Sequence, residues 1–197
     1  MASNPIKSDQ ITLGFDTSAA HCAAALLSGE EVLRARSENM TRGQAERLMP
    51  LIEELLASQA IGWSDLIRIG VGVGPGNFSG IRISVSAARG LALSLSVPAI
   101  GVTTFQATAL TAPAGHIPAV AAPQDQIYIA PLEGDPKLIP AQDAGPITLP
   151  PEGPELATNI ALIAHRAMPP FARPAPLYIR PADAAPPREA PPVIIHD

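Results

Sequence analysis

The sequence predicts a mixed α/β fold: three antiparallel strands, then parallel strands added through helical crossovers, then a smaller and less regular second half. Three observations carry this. Strand-length apolar runs separated by tight turns fill the region before residue 40. Two later segments switch to helical period. Of the 23 prolines, only Pro5, Pro50, Pro75 and Pro98 precede Thr111, so regular elements are dense before that point and broken after it.

Ile11–Phe15 is a short apolar run ending in Asp16-Thr17-Ser18, a strand running into a polar turn. Cys22–Ser28 and Glu31–Glu38 follow, joined through Ser28-Gly29-Glu30, and the three form an antiparallel meander. In Gln44–Ala60, Leu48, Ile52, Leu55 and Leu56 make one helical stripe, while Pro50 predicts a kink or a start near Arg47. Leu66–Val73 reads as a buried strand. Ser79 is the expected cap of a helix running to about Ser96, which Pro98 closes. Pro98–Val102 is a further strand, and Thr103–Thr111 starts another helix. The order β-β-β-α-β-α-β, with right-handed crossovers, is that of the ribonuclease-H-like half of the actin-like superfold. The second half offers strands near Ile117–Ala122 and Gln126–Leu132, a helix near Pro154–Ala167 and a last extended piece, Pro176–Arg180.

Composition narrows the function classes. Nearly half of the 197 residues are apolar, enough for a core, and no apolar run is long enough to span a bilayer. Met1–Gln10 carries no hydrophobic stretch, so no secretory signal is expected, and the lone Cys22 reads as a small core residue. The expected compartment is the cytoplasm. A net charge of −5, with only Lys7 and Lys137 as lysines, argues against the chain gripping nucleic acid by itself. Arg34, Arg36, Arg42 and Arg47 interleave with Glu30, Glu31, Glu38 and Glu46, which reads as a solvated mixed-charge face.

The richest segment is Gly72-Val73-Gly74-Pro75-Gly76-Asn77-Phe78-Ser79-Gly80-Ile81-Arg82. A glycine-rich loop feeding a helix is a potential anion site. The dinucleotide pattern fails because Asn77 stands where glycine is needed, and no Gly-Lys-Ser/Thr follows for a P-loop. The helix behind the loop has two small-residue or apolar faces: Ser84, Ala87, Ala88, Leu91 and Leu95 on one, Ile81, Val85 and Ala92 on the next. A helix apolar on more than one face needs a second cover, its own domain or a partner.

Gly74-Pro75-Gly76-Asn77-Phe78-Ser79-Gly80-Ile81-Arg82-Ile83, preceded by Ile69–Val73 and followed by Ala88-Arg89-Gly90-Leu91-Ala92, resembles the signature of the TsaB (YeaZ) family, worded GPGSFTGLRIG…AKGLA. Ile11–Ser18 resembles its opening LAIDTS, Ile100-Gly101-Val102-Thr103-Thr104 its GVSTL step, and Pro176–Arg180 its C-terminal PVYLR. The resemblance covers about residues 11–106 and is thin afterwards. It implies an actin-like (ASKHA, ribonuclease-H-like) fold of two subdomains, the second reduced here. The corresponding division is a tail at 1–10, a first subdomain at 11–106, a reduced second subdomain at 107–185 and a tail at 186–197.

The resemblance further implies a non-catalytic partner of TsaD, the subunit that transfers threonylcarbamoyl to adenosine 37 of tRNA, with TsaE completing a ternary complex. The family's contact with TsaD, or with a second copy of itself when TsaD is absent, maps here to Leu48, Ile52, Leu55, Ser84, Ala87, Ala88, Leu91 and Leu95. tRNA would be reached only through TsaD, and no cofactor is implied. The chain departs from the family where Gln44 replaces a histidine, and where Ala121-Ala122-Pro123 has lost an Asp and an Arg.

Two enzyme readings stand beside this one. Asp16 and Thr17 sit where the superfold places Mg-nucleotide chemistry, which leaves an ATPase or kinase with a degenerate site. Ser79 or Ser18 as nucleophile leaves a peptidase-like hydrolase, though no nucleophile elbow surrounds either. The histidines, His21, His116, His165 and His196, lie too far apart in sequence for a helix-borne pair, so no metal site is expected.

Overall fold

The computed structural model describes residues 10–131 and 134–179. The expected tails, apart from Gln10, and Arg180 lie outside the described residues.

Strands β1 (Ile11–Asp16), β2 (His21–Ser28) and β3 (Glu31–Asn39) form the expected antiparallel meander. Helix α1 (Gln44–Ser58) leads to β4 (Leu66–Gly72), and α2 (Phe78–Leu95) to β5 (Ala99–Val102). Pairing of β1 with β4 and of β4 with β5 is parallel, giving the sheet order β3-β2-β1-β4-β5. This is the ribonuclease-H-like topology of the actin-like fold. After α3 (Thr104–Ala109), a second and smaller sheet is built from β6 (Ile117–Ala122), β7 (Gln126–Ile129), β8 (Lys137–Pro140) and β9 (Ile147–Thr148), in the order β8-β7-β6-β9. It has its own small core of Ala119, Ile127 and Ile129. Helix α4 (Gly153–Arg166) closes the described elements.

Strand alternation splits the first sheet into two faces. Ile11, Leu13 and Phe15 of β1 join Leu48, Leu51, Ile52 and Leu55 of α1 and Ile81, Val85 and Ala88 of α2 in the main core. The opposite face carries small residues, and α4 returns from the second half to cover it through Ala157 and Ala161. The approach is so close that a Cβ on Gly14 would stand 2.6 Å from the Ala161 Cβ. The guanidinium of Arg68 then caps α4, donating to the carbonyls of Ala164, His165 and Ala167. Carbonyls at a helix end run short of intrahelical donors, and of these three the Ala164 carbonyl also accepts the Ala167 amide.

Three local expectations are corrected. Helix α1 starts at Gln44 rather than near Arg47 and carries Pro50 within it; Pro50 is exposed, so its missing donor faces solvent. Asn77, not Ser79, caps α2: its Oδ1 accepts the Gly80 N–H at 2.9 Å. The strands β8 and β9 were not anticipated, because each is short and borders a proline.

Candidate functional site

Strand β1, the central strand of the first sheet, ends in Asp16, and the turn to β2 folds straight back over it. The register that pairs Asp16 with Ala23 brings His21 above the carboxylate. Oδ2 of Asp16 accepts from the Ser18 amide at 2.8 Å, from Ser18 Oγ at 2.9 Å and from His21 Nε2 at 2.9 Å. The amide bond is the Asx-type contact expected of an acid at a strand end. Oδ1 is buried without a hydrogen-bond partner among the described residues, pressed against Gly72 of β4, where any side chain would overlap it. Asp16 is fully buried.

The signature loop is sewn to the same turn. Thr17 is buried and donates through Oγ1 to the Gly80 carbonyl at 2.7 Å, and the Asn77 amide donates to the Ser18 carbonyl at 2.6 Å. The Gly74 carbonyl accepts the Thr104 amide, and the Pro75 carbonyl accepts Thr104 Oγ1. Pro75 and Gly76 line the cleft described next, while Ser79 faces outward. Arg82 lies over the Phe78 ring, 3.9 Å from its centroid, and donates from Nε to Tyr178 Oη at 3.0 Å. Tyr178 in turn stacks on Phe78 with centroids 4.9 Å apart.

Between the two sheets lies a cleft of about 1090 Å³. Its walls include Ser18, His21, Asn77, Tyr128, Glu152 and Tyr178, and no lysine or arginine is among its described lining residues. The described walls thus offer no lysine or arginine to a polyphosphate. Among the other described histidines, His116 binds the Ile147 carbonyl and Thr148, and His165 faces Thr12. Cys22 is buried beneath α1, and desolvation pushes its thiol up to about 11.

The residues expected at a partner contact divide sharply. Leu48, Ile52, Leu55, Ser84 and Ala88 are each at most 2% exposed, inside this chain's own core, so they are corrected to core positions. Ala87, Leu91 and Leu95 are half-buried against that core. What α2 presents to solvent is Ser79, Arg82, Ser86, Gly90, Leu93 and Ser94. Leu93 is 84% exposed, and a Cβ on Gly90 would meet nothing within 4 Å. The mixed-charge face of β3 and α1 is a connected network: Arg47 binds Glu38 and Glu54, and Arg36 binds the same two acids.

A family model described as TsaD, tRNA N6-adenosine threonylcarbamoyltransferase, matches residues 33–141, more than half of the chain. The tRNA threonylcarbamoyladenosine biosynthesis protein TsaB of Buchnera aphidicola subsp. Schizaphis graminum is 37% identical over 95 residues, covering 48% of this chain and 45% of its own. The Escherichia coli K12 protein of the same name is 33% identical over 97 residues, covering 49% and 42%. The chain belongs to the TsaB (YeaZ) family. This TsaB-family chain spans about half the length of the curated relatives it matches. A solved Pseudomonas aeruginosa protein described as similar to peptidase YeaZ shares the fold with a TM-score of 0.71 at 23% identity, over 87% of this chain and all of that one.

His21 and Tyr178, which sequence reading did not single out for the site, complete it. The register of a tight β1–β2 hairpin was the available signal for His21. Nothing local connects Tyr178 with Phe78, a hundred residues earlier.

Proposed function

We propose that this chain is a non-catalytic subunit that partners TsaD in the threonylcarbamoylation of adenosine 37 of tRNA, in the cytoplasm, with TsaE joining the pair. Membership of the TsaB family supports the pathway. The contrast between two places in the fold supports the division of labour. The acid at the superfold's catalytic position is sealed by Ser18, His21 and Gly72. The outer face of α2, by contrast, is open, with Leu93 exposed and small residues at Ser86 and Gly90. Contact with TsaD, or with a second copy when TsaD is absent, uses this outer face together with the half-buried Ala87, Leu91 and Leu95. tRNA is engaged through TsaD, in keeping with the acidic charge of this chain. Among the described residues no helix is long and apolar enough to cross a membrane.

The test is reconstitution. The chain is mixed with TsaD, TsaE, ATP, threonine-derived donor and tRNA, and modified nucleoside is measured with and without it. Co-elution with TsaD and a yield that depends on the chain are expected. Equal yields without it, or ATP turnover by the isolated chain that Asp16→Ala abolishes, overturn the proposal.

A further inference from the structure

Beyond α4 the chain does not simply leave the fold. Residues 174–179 run back across β4 and α2, held at four points. Arg89 Nε donates to the Pro174 carbonyl at 2.8 Å. The Leu177 amide donates to the Val73 carbonyl at 2.8 Å. Tyr178 is fixed by its stack on Phe78 and by the Arg82 hydrogen bond. Leu177, Tyr178 and Ile179 are also walls of the cleft.

Three of the holding groups, Phe78, Arg82 and Arg89, belong to α2. Phe78 and Arg82 are one helical turn apart, so the guanidinium reaches back over the ring. Arg82 has no carboxylate partner among the described residues, and its charge is spent on an aromatic face and a phenol. The segment itself forms no strand, and a single backbone hydrogen bond joins it to Val73, just past the end of β4. Apart from buried Pro174 and the packing of Leu177 on the main core, its attachment rests on the α2 side chains, and a segment so held opens locally at lower cost than the core.

We propose that residues 174–179 are a strap that Arg82 and Phe78 fasten over the cleft, and that the cleft opens by release of Tyr178. The aromatic and guanidinium positions of the signature segment then serve as the fastener of a movable wall. This goes beyond the TsaD reading and does not depend on it.

The test uses the full chain alone. Amide exchange at Leu177 is followed in wild type, Arg82→Gln and Tyr178→Ala. In parallel, a cysteine placed at a buried position of the cleft wall (Thr104→Cys, where Thr104 is 4% exposed) is labelled with a bulky maleimide; buried Cys22 is the silent background. Both variants are expected to raise Leu177 exchange and cleft labelling roughly tenfold, while amides of β1 and β4 keep wild-type protection. Arg82→Lys, which keeps the charge and loses the planar stack, is expected to fall between. Unchanged Leu177 exchange and labelling in both variants would overturn the proposal. So would a rise matched by loss of protection across β1 and β4, since the wall would then open only with the whole fold.

Discussion

The carboxylate of Asp16 occupies the space that a side chain on Gly72 would need, and its Oδ1 rests there without a hydrogen bond. The two positions are complementary: the acid tolerates only glycine opposite, and the glycine leaves a hollow that the acid fills. Gly72→Ala is expected to destabilise by about 1–3 kcal/mol or more, as overpacking does. In Asp16→Ala the same methyl finds room, so the double variant should be more stable than the sum of the singles implies, with a coupling of about 0.5–3 kcal/mol. Urea unfolding of the four proteins checks this, and strict additivity would refute the complementarity.

Arg68 serves three carbonyls at the end of α4. Arg68→Met keeps much of the apolar stem and removes the donors, leaving the His165 and Ala167 carbonyls without the guanidinium while Ala164 keeps its bond from the Ala167 amide. A loss of about 1–3 kcal/mol is expected, with raised amide exchange confined first to the end of α4. An unchanged melting temperature would show that water replaces the guanidinium.

Cys22 ionises reluctantly because burial disfavours the thiolate; Arg47 offsets this only in part. The folded thiol therefore keeps its proton to about 11, where the unfolded one loses it near 9.0. Its contribution to stability is complete below the unfolded value and is lost as pH rises toward the folded one. Relative to Cys22→Ala, the wild type should lose stability between those two values, and a thiol reagent should react at neutral pH only after unfolding.

Arg47 holds the carboxyls of Glu38 and Glu54 below the usual carboxylate range, first through direct hydrogen bonds and then through its charge. Depressed carboxyls add stability above their unfolded values, and that stability fades as pH falls through the lower folded values. The network is on the surface, so the effect is small and screened by salt. Arg47→Met should flatten the acid limb of the melting-temperature profile below about pH 4.3 at low salt, with little difference at 1 M salt.

The two faces of α2 give opposite expectations for a new carboxylate. Ala88→Glu buries an unpaired charge in the chain's own core and should unfold it or cost several kcal/mol. Gly90→Glu enters open space and replaces the weakest helix former but proline, so the free chain should be unharmed or slightly more stable. Binding to TsaD, measured by titration, should weaken in Gly90→Glu. Wild-type affinity there would move the contact off this face.

The first sheet could be read from the residues because its elements are long and periodic. Ile11–Phe15, Leu66–Val73 and the stripe Leu48, Ile52, Leu55 each declare their element and their buried side. Periodicity does not say what covers a stripe, which is why Leu48, Ile52, Leu55, Ser84 and Ala88 were expected against a partner and lie against their own sheet. Near Asp16, the turn bond to Ser18 followed from local chemistry. The His21 contact needed the hairpin register, and the Gly72 contact needed the pairing of β1 with β4 across more than fifty residues. The second sheet was half legible: β6 and β7 have strand composition, whereas β8 and β9 are too short to carry a period.

Helix α4 lies against β1, β2 and β4, though some 140 residues of chain separate it from β1. On a ribosome, β1 through β5 emerge long before it does. Until α4 follows, the side of the sheet bearing Gly14, Ala23 and Ala25 has no cover. A nascent chain halted before Gly153 would thus display a flat, small-residue surface fit for chaperones or for a neighbouring copy. Covering of the sheet then waits on α4, and the slowing expected of long-range contacts falls on this one docking step.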